Sequence, residues 1–231
     1  MLLLFDIDGT LLLRSSAEHA AALREALGSV YGTEPPAQRV SAAGRTDTAI
    51  ARELAALAGV EAGRFDADME RFKAVCAAQF AQRCPASLAD RVAPGMLELL
   101  VELERRADVQ LSLVTGNYEP IARLKLSRAG IGHFFAPGQG AFGSDAESRN
   151  ELPAIARARA GDYPREATIV IGDTPLDIAC ARADGVSVFG VATGPHAASE
   201  LSAADAVAAD GFELRALLEA RFGLSAPAAC S

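Results

Sequence analysis

The apolar positions along this chain follow two rhythms. Leu2-Leu3-Leu4-Phe5 is an unbroken apolar run, too short for a helix and typical of a strand buried on both faces of a parallel sheet. Similar runs recur at 109–114, 168–171 and 187–191, and a weaker one at 206–208 predicts a short edge strand. Elsewhere the spacing is helical. Ala20, Leu23, Ala26, Leu27 and Val30 predict a helix over 15–31, closed by Gly32 and Pro35-Pro36. Ile50, Leu54 and Leu57 predict a second helix, capped by Thr46 or Asp47 and stopped by Gly59. Phe65, Met69, Phe72, Val75 and Phe80 predict a third over 65–82.

Nothing from about 15 to 90 reads as strand, so this block is predicted to be a small helical domain inserted after the first strand. Pro94-Gly95 marks the return to alternation, with helices predicted at 96–106, 119–129, 150–160, 174–183 and 213–222. The glycine-rich stretch 134–143 predicts a loop with one short strand, and the Ala/Pro-rich tail from Ser225 is expected to fray. Strands alternating with helices make an α/β fold with a parallel sheet and right-handed crossovers. Ligands of such sheets bind just past the carboxyl ends of the strands.

The strand ends carry acids. Asp6 and Asp8 follow the first strand, two residues apart, and extended backbone would turn both to one side before Gly9 allows a sharp turn. Two carboxylates that close need a positive partner, and a divalent cation with oxygen ligands, magnesium first, is the simplest. Asp-x-Asp-Gly also occurs in ordinary turns, but here it is joined directly to an apolar strand. After 109–114 come Thr115, Gly116 and Asn117. A hydroxyl and two backbone N–H groups ahead of a helix suit an anion, although Thr115 or Asn117 could simply cap that helix. After 168–171 come Asp173 and, four residues on, Asp177 in the first turn of a helix that Pro175 opens. Helix capping accounts for one of these acids better than for both.

Composition narrows the partners. A formal net charge of −8 over 231 residues, with no basic run, disfavours a nucleic-acid binder. Cys76, Cys84, Cys180 and Cys230 have no zinc-site spacing and read as free thiols of a reducing compartment. Asp6 breaks the N-terminal apolar run, which lacks a basic flank, and no apolar stretch is long enough to cross a membrane. A cytoplasmic protein, a monomer or weak homodimer that meets neither membrane nor nucleic acid, is expected.

Phe5-Asp6-Ile7-Asp8-Gly9-Thr10, Thr115-Gly116-Asn117 and Gly172-Asp173-Thr174-Pro175-Leu176-Asp177 resemble, in order and spacing, the first, second and fourth motifs of the haloacid dehalogenase superfamily. The resemblance covers almost the whole chain and is similar to its phosphoglycolate phosphatase-like and β-phosphoglucomutase-like members. It implies a Rossmann-like core over 1–14 and 92–231 with a helical cap domain over 15–91. It implies magnesium held by Asp6, the Asp8 backbone carbonyl and Asp173, with Asp177 in support. It further implies Asp6 as nucleophile toward a small phosphorylated metabolite and Asp8 as acid and then base. Thr115, Gly116 and Asn117 would hold phosphate, and Arg45, in a cap loop facing the site, would read the substrate. The family's third motif, a lysine often followed by proline, is missing; Arg149 is expected in its place, with Lys125 as the other candidate. A dehalogenase would have no purpose for Asp8, whereas a phosphomutase or a silent binding module on this fold remain as alternatives.

Overall fold

In the computed structural model of the chain, residues 1–222 are described. The tail beyond Ser225 and the thiol of Cys230 lie outside them. The chain opens with β1 (Leu2–Phe5), followed by α1 (Ala17–Tyr31), α2 (Asp47–Leu57), α3 (Ala62–Ala67) and α4 (Met69–Arg83). It then alternates through α5 (Met96–Glu104), β2 (Gln110–Thr115), α6 (Glu119–Arg128), β3 (Ala141–Phe142), α7 (Leu152–Arg159), β4 (Thr168–Gly172), α8 (Pro175–Asp184), β5 (Ser187–Val191), β6 (Ala206–Ala208) and α9 (Gly211–Phe222). The strands form one parallel sheet in the order β3-β2-β1-β4-β5-β6.

The apolar run of β1 is explained by this order. β1 lies between β2 and β4 and is covered on both faces. Leu2 and Leu4 join Val114, Val170 and Val188 under α7 and α8. Leu3 and Phe5 turn the other way, into a second core with Leu113, Ile169, Ile171 and the apolar residues of α5, α6 and α9. That core runs without a break into the helical block, where α1 packs along α4. Tyr31, Phe65 and Phe72 meet there with ring centroids 6.0–6.2 Å apart. Cys76, Cys84 and Cys180 are buried free thiols. No described helix is long and apolar enough to cross a membrane.

Four local expectations are corrected. The single helix over 65–82 is two helices, because Asp68 leaves helical geometry at φ −97°, ψ 5°; aspartate competes poorly for helix interiors. Leu57 is 43% exposed at the end of α2, and Val60, beyond the Gly59 turn, is buried instead. In α1, Ala20 is exposed and the polar His19 takes the inward position. The helix expected from 150 begins as a 3-10 turn, Arg149–Glu151. Pro153 has no N–H to give and fits only in the first turn of α7 that follows.

Phe72 is fully buried between the helices of the block. Phe72→Ala should lower the unfolding free energy by about 3–5 kcal/mol, the usual cost of an aromatic cavity, as read by urea denaturation. A loss below about 1 kcal/mol would show that this core collapses around the gap.

Candidate active site

The strand order brings the ends of β1, β2 and β4 side by side. Phe5 pairs with Leu113 and Ile171, and the Asp6 N–H donates to the Ile171 carbonyl at 2.9 Å. Gly9 then reverses the chain at φ 95°. A Cβ at Gly9 or at Gly194 would overlap the Asp173 carboxylate, so bare backbone closes round that acid.

Asp6, Asp173 and Asp177 present carboxylate oxygens that all lie within 4.8 Å of one another. Arg149 joins them: its Nη2 donates to Asp6 Oδ1 at 3.0 Å and to Asp177 Oδ1 at 2.5 Å. Asp173 Oδ1 accepts the Thr10 hydroxyl at 3.0 Å, while its Oδ2 is buried with no hydrogen-bond partner. Burial pushes the Asp6 carboxyl up to about 7; Arg149 opposes this, and Asp177 and Asp8 add to it. Asp173 is pushed up to about 8 by burial and by the charges of Asp6 and Asp177. One guanidinium leaves this group short of positive charge and one acid oxygen unpaired. Carboxylate oxygens alone at this spacing fit a hard divalent cation.

Asp177 resolves the choice between capping and site. Its Oδ2 accepts the Thr174 N–H at 3.0 Å and the Thr174 hydroxyl at 2.7 Å, completing a capping box on α8. Its Oδ1 faces Arg149. One carboxylate does both.

Asp8 belongs to a second group. Lys125 Nζ lies 2.8 Å and 2.6 Å from its two oxygens. Asn117 Nδ2 donates to Oδ2 at 2.8 Å, and the Ser15 hydroxyl donates to Oδ1. Burial would raise the Asp8 carboxyl, but the Lys125 charge, with hydrogen bonds from Lys125 and Ser15, outweighs it and holds it well below the usual range. The two candidates for the missing basic residue thus both reach acids: Arg149 serves Asp6, and Lys125 serves Asp8. Lys125 starts well along α6, yet its extended stem brings Nζ back to the strand end with no exposure.

The β2 end is arranged differently from a simple cap. Tyr118 precedes α6 without a side-chain cap bond. Asn117 Nδ2 donates to the Thr115 hydroxyl at 3.0 Å, and its Oδ1 accepts from Lys125 at 2.7 Å. Thr115 is buried beneath the site, while Gly116 and Asn117 line the pocket. The Gly116 carbonyl accepts the Asp47 N–H at 2.7 Å, and a Cβ on Gly116 would overlap the Arg45 carbonyl. Arg45 also lines the pocket, but Glu53 at 2.6 Å and the Ser41 and Ala49 carbonyls occupy its guanidinium.

A cavity of about 520 Å³ covers the acids. From the helical block Ala20, Leu23, Ala42, Ala43 and Ile50 form its wall, joined by Leu13 just before the block. His19 and Asp47 are also at this wall; His19 was missed in the sequence, and Asp47 was read there only as a candidate helix cap. The available signal was a histidine on the apolar stripe of α1, four residues before Leu23.

A match to the haloacid dehalogenase-like hydrolases spans residues 3–182 of the chain. The chain belongs to this family. As a haloacid dehalogenase-like hydrolase it also resembles solved structures over nearly its full length. A hydrolase from Pseudomonas syringae is 22% identical, with 96% of this chain and 99% of that chain covered and a TM-score of 0.64. A β-phosphoglucomutase from Clostridium difficile is 14% identical, with 92% of each chain covered and a TM-score of 0.69. CbbY from Rhodobacter sphaeroides, in complex with phosphate, is 19% identical, with 92% and 95% covered and a TM-score of 0.63. At these identities the likeness is one of fold. A search of curated proteins gave no match.

If the three acids hold a cation, magnesium should stabilise the fold by mass action. At about a hundred times its dissociation constant the gain is about 2.7 kcal/mol, or roughly 5–10 °C in thermal midpoint for a chain of this size. Asp173→Asn should abolish that shift. A shift kept in full by the variant would remove Asp173 from the ligand set.

Proposed function

We propose that this hydrolase is a magnesium-dependent phosphatase. It cleaves a small phosphorylated metabolite through an aspartyl-phosphate on Asp6, with block 15–91 as the cap over a core of 1–14 and 92–231. The observation that carries this reading is the meeting of Asp6, Asp8, Asp173 and Arg149 in one pocket.

Asp6 keeps one oxygen on Arg149, which leaves the other to attack phosphorus as the bond to the alcohol oxygen breaks. Asp8 gives the departing alkoxide its proton. It then takes a proton from the water that attacks the phosphoenzyme, releasing phosphate and restoring Asp6. Lys125 and its neighbours favour the ionised Asp8 that this second step needs; the negative charge of an arriving phosphate favours the protonated form that the first step needs. Arg149 offsets charge beside the nucleophile. The backbone ahead of α6, at Gly116 and Asn117, with the Thr115 hydroxyl below, is suited to phosphate oxygens. Magnesium bound by Asp6, Asp173, Asp177 and the Asp8 carbonyl would supply the Lewis-acid charge that neutralises the transferring group. Arg45, tied to Glu53, would act on substrate choice by shaping the 42–46 loop.

The likeness to a β-phosphoglucomutase favours one second reading, return of the phosphoryl group to a bound sugar. Product analysis separates the two, since only the phosphatase releases inorganic phosphate in step with the alcohol.

The test is turnover of p-nitrophenyl phosphate and of a panel of phosphorylated metabolites. Activity should vanish in EDTA and return with magnesium. Asp6→Asn should lose on the order of a thousandfold or more in kcat. Arg149→Ala should lose at least about a hundredfold at saturating magnesium, as when one transition-state donor is removed. Full activity of Asp6→Asn would dismiss the phosphoenzyme; near-normal Arg149→Ala would take Arg149 out of the phosphoryl contact.

A further inference from the structure

Lys125 has no exposure to solvent, and a buried ammonium persists only if its hydrogens find acceptors. Asp8 offers both oxygens and Asn117 its Oδ1. The remaining partner is His19 Nδ1 at 3.3 Å, from α1 of the helical block. An ammonium has donors only, so Nδ1 must be the acceptor and the ring proton sits on Nε2. Nε2 lies 2.9 Å from Asp47 Oδ2, a close polar contact without hydrogen-bond geometry. That same Oδ2 accepts the Tyr118 N–H at 2.7 Å, and the Asp47 N–H donates to the Gly116 carbonyl at 2.7 Å. Asp47 is therefore clamped to the segment between β2 and α6.

The result is a continuous row, Asp8–Lys125–His19–Asp47. It starts at the acid, crosses into α1 and ends at the first residue of α2, which is itself fastened back to the core. Ser15, four residues before His19, also bonds Asp8. The lysine stem is long and rotatable. Without an acceptor at His19, Nζ is held only by Asp8 and Asn117, and it can re-aim together with the Asp8 carboxylate.

We infer that His19 and Asp47 are positioning residues for Asp8, acting through Lys125. This rests on the phosphatase reading of Asp8. A misplaced acid matters most when the leaving alcohol is strongly basic, whereas loosened packing affects every substrate alike.

The experiment measures kcat and KM for wild type, His19→Ala, His19→Asn and Asp47→Ala on a series from p-nitrophenyl phosphate to simple alkyl phosphates, with thermal midpoints alongside. His19→Ala and Asp47→Ala should lose about tenfold to a hundredfold in kcat on alkyl phosphates and under about threefold on p-nitrophenyl phosphate, with KM within about twofold. His19→Asn places an amide oxygen where Nδ1 accepts, and should recover most of the loss on alkyl phosphates. Equal losses across the series, or no loss, would overturn the inference, as would a His19→Asn variant no better than His19→Ala. Should His19→Ala fail to fold, the leaving-group dependence of His19→Asn against Asp47→Ala decides the same point. A wild type that hydrolyses none of the series refutes the phosphatase reading itself, and this inference falls with it.

Discussion

Mutual repulsion among buried carboxylates is the constraint that organises this molecule. Asp6, Asp8, Asp173 and Asp177 gather at one end of a parallel sheet, and water is largely excluded from them. Two cations divide the work of offsetting their charge. Arg149 reaches Asp6 and Asp177 through one nitrogen, Nη2, and Lys125 holds both oxygens of Asp8. The division keeps the two acids of the first motif in different electrostatic surroundings. Asp8 is driven toward its ionised form, while Asp6 and Asp173 are driven the other way. A carboxylate attacks only when ionised, so the burial that disfavours charge on Asp6 has to be offset by positive charge beside it.

How far the sequence discloses this depends on the range over which each residue acts. The β1 and β4 ends were legible because an apolar run followed by an acid is a local pattern, and the sheet places such ends together whatever lies between. The capping role of Asp177 was legible for the same reason. Arg149 and Lys125 could be named, but not the acid that each one reaches, because that depends on side-chain paths through a core that no local spacing encodes. His19 escaped notice because periodicity counts apolar positions, and a histidine in that stripe registers as an interruption. Asp68 was hidden in the same way: the apolar spacing on either side continues in phase, so nothing in the pattern shows that the backbone breaks there.

The double use of Asp177 ties local stability to the site. The carboxylate that satisfies the first turn of α8 also orders Arg149. Thr174 belongs to both as well, as cap of α8 and as part of the pocket wall. Changes here cannot be assigned to fold or chemistry alone, since removing an N-cap acceptor already costs about 1 kcal/mol. The methyl-lined wall of the helical block has no such tie: Ala20, Ala42 and Ala43 are exposed and make few demands on packing. Substrate preference is free to vary there while the acids stay fixed.

The central position of β1 has a consequence for how the chain comes to be folded. Leu2 pairs with Gln110 on one side and with Thr168 on the other. The most apolar strand is thus made before either of its neighbours, and one side of it stays unpaired until residues 168–171 have emerged. A sheet closed by such distant partners forms slowly, and an unpaired apolar strand is an invitation to aggregation. The helical block, whose contacts are nearer in sequence, can condense beforehand. For the growing chain it is an early shelter beside a strand that is still waiting for its neighbours.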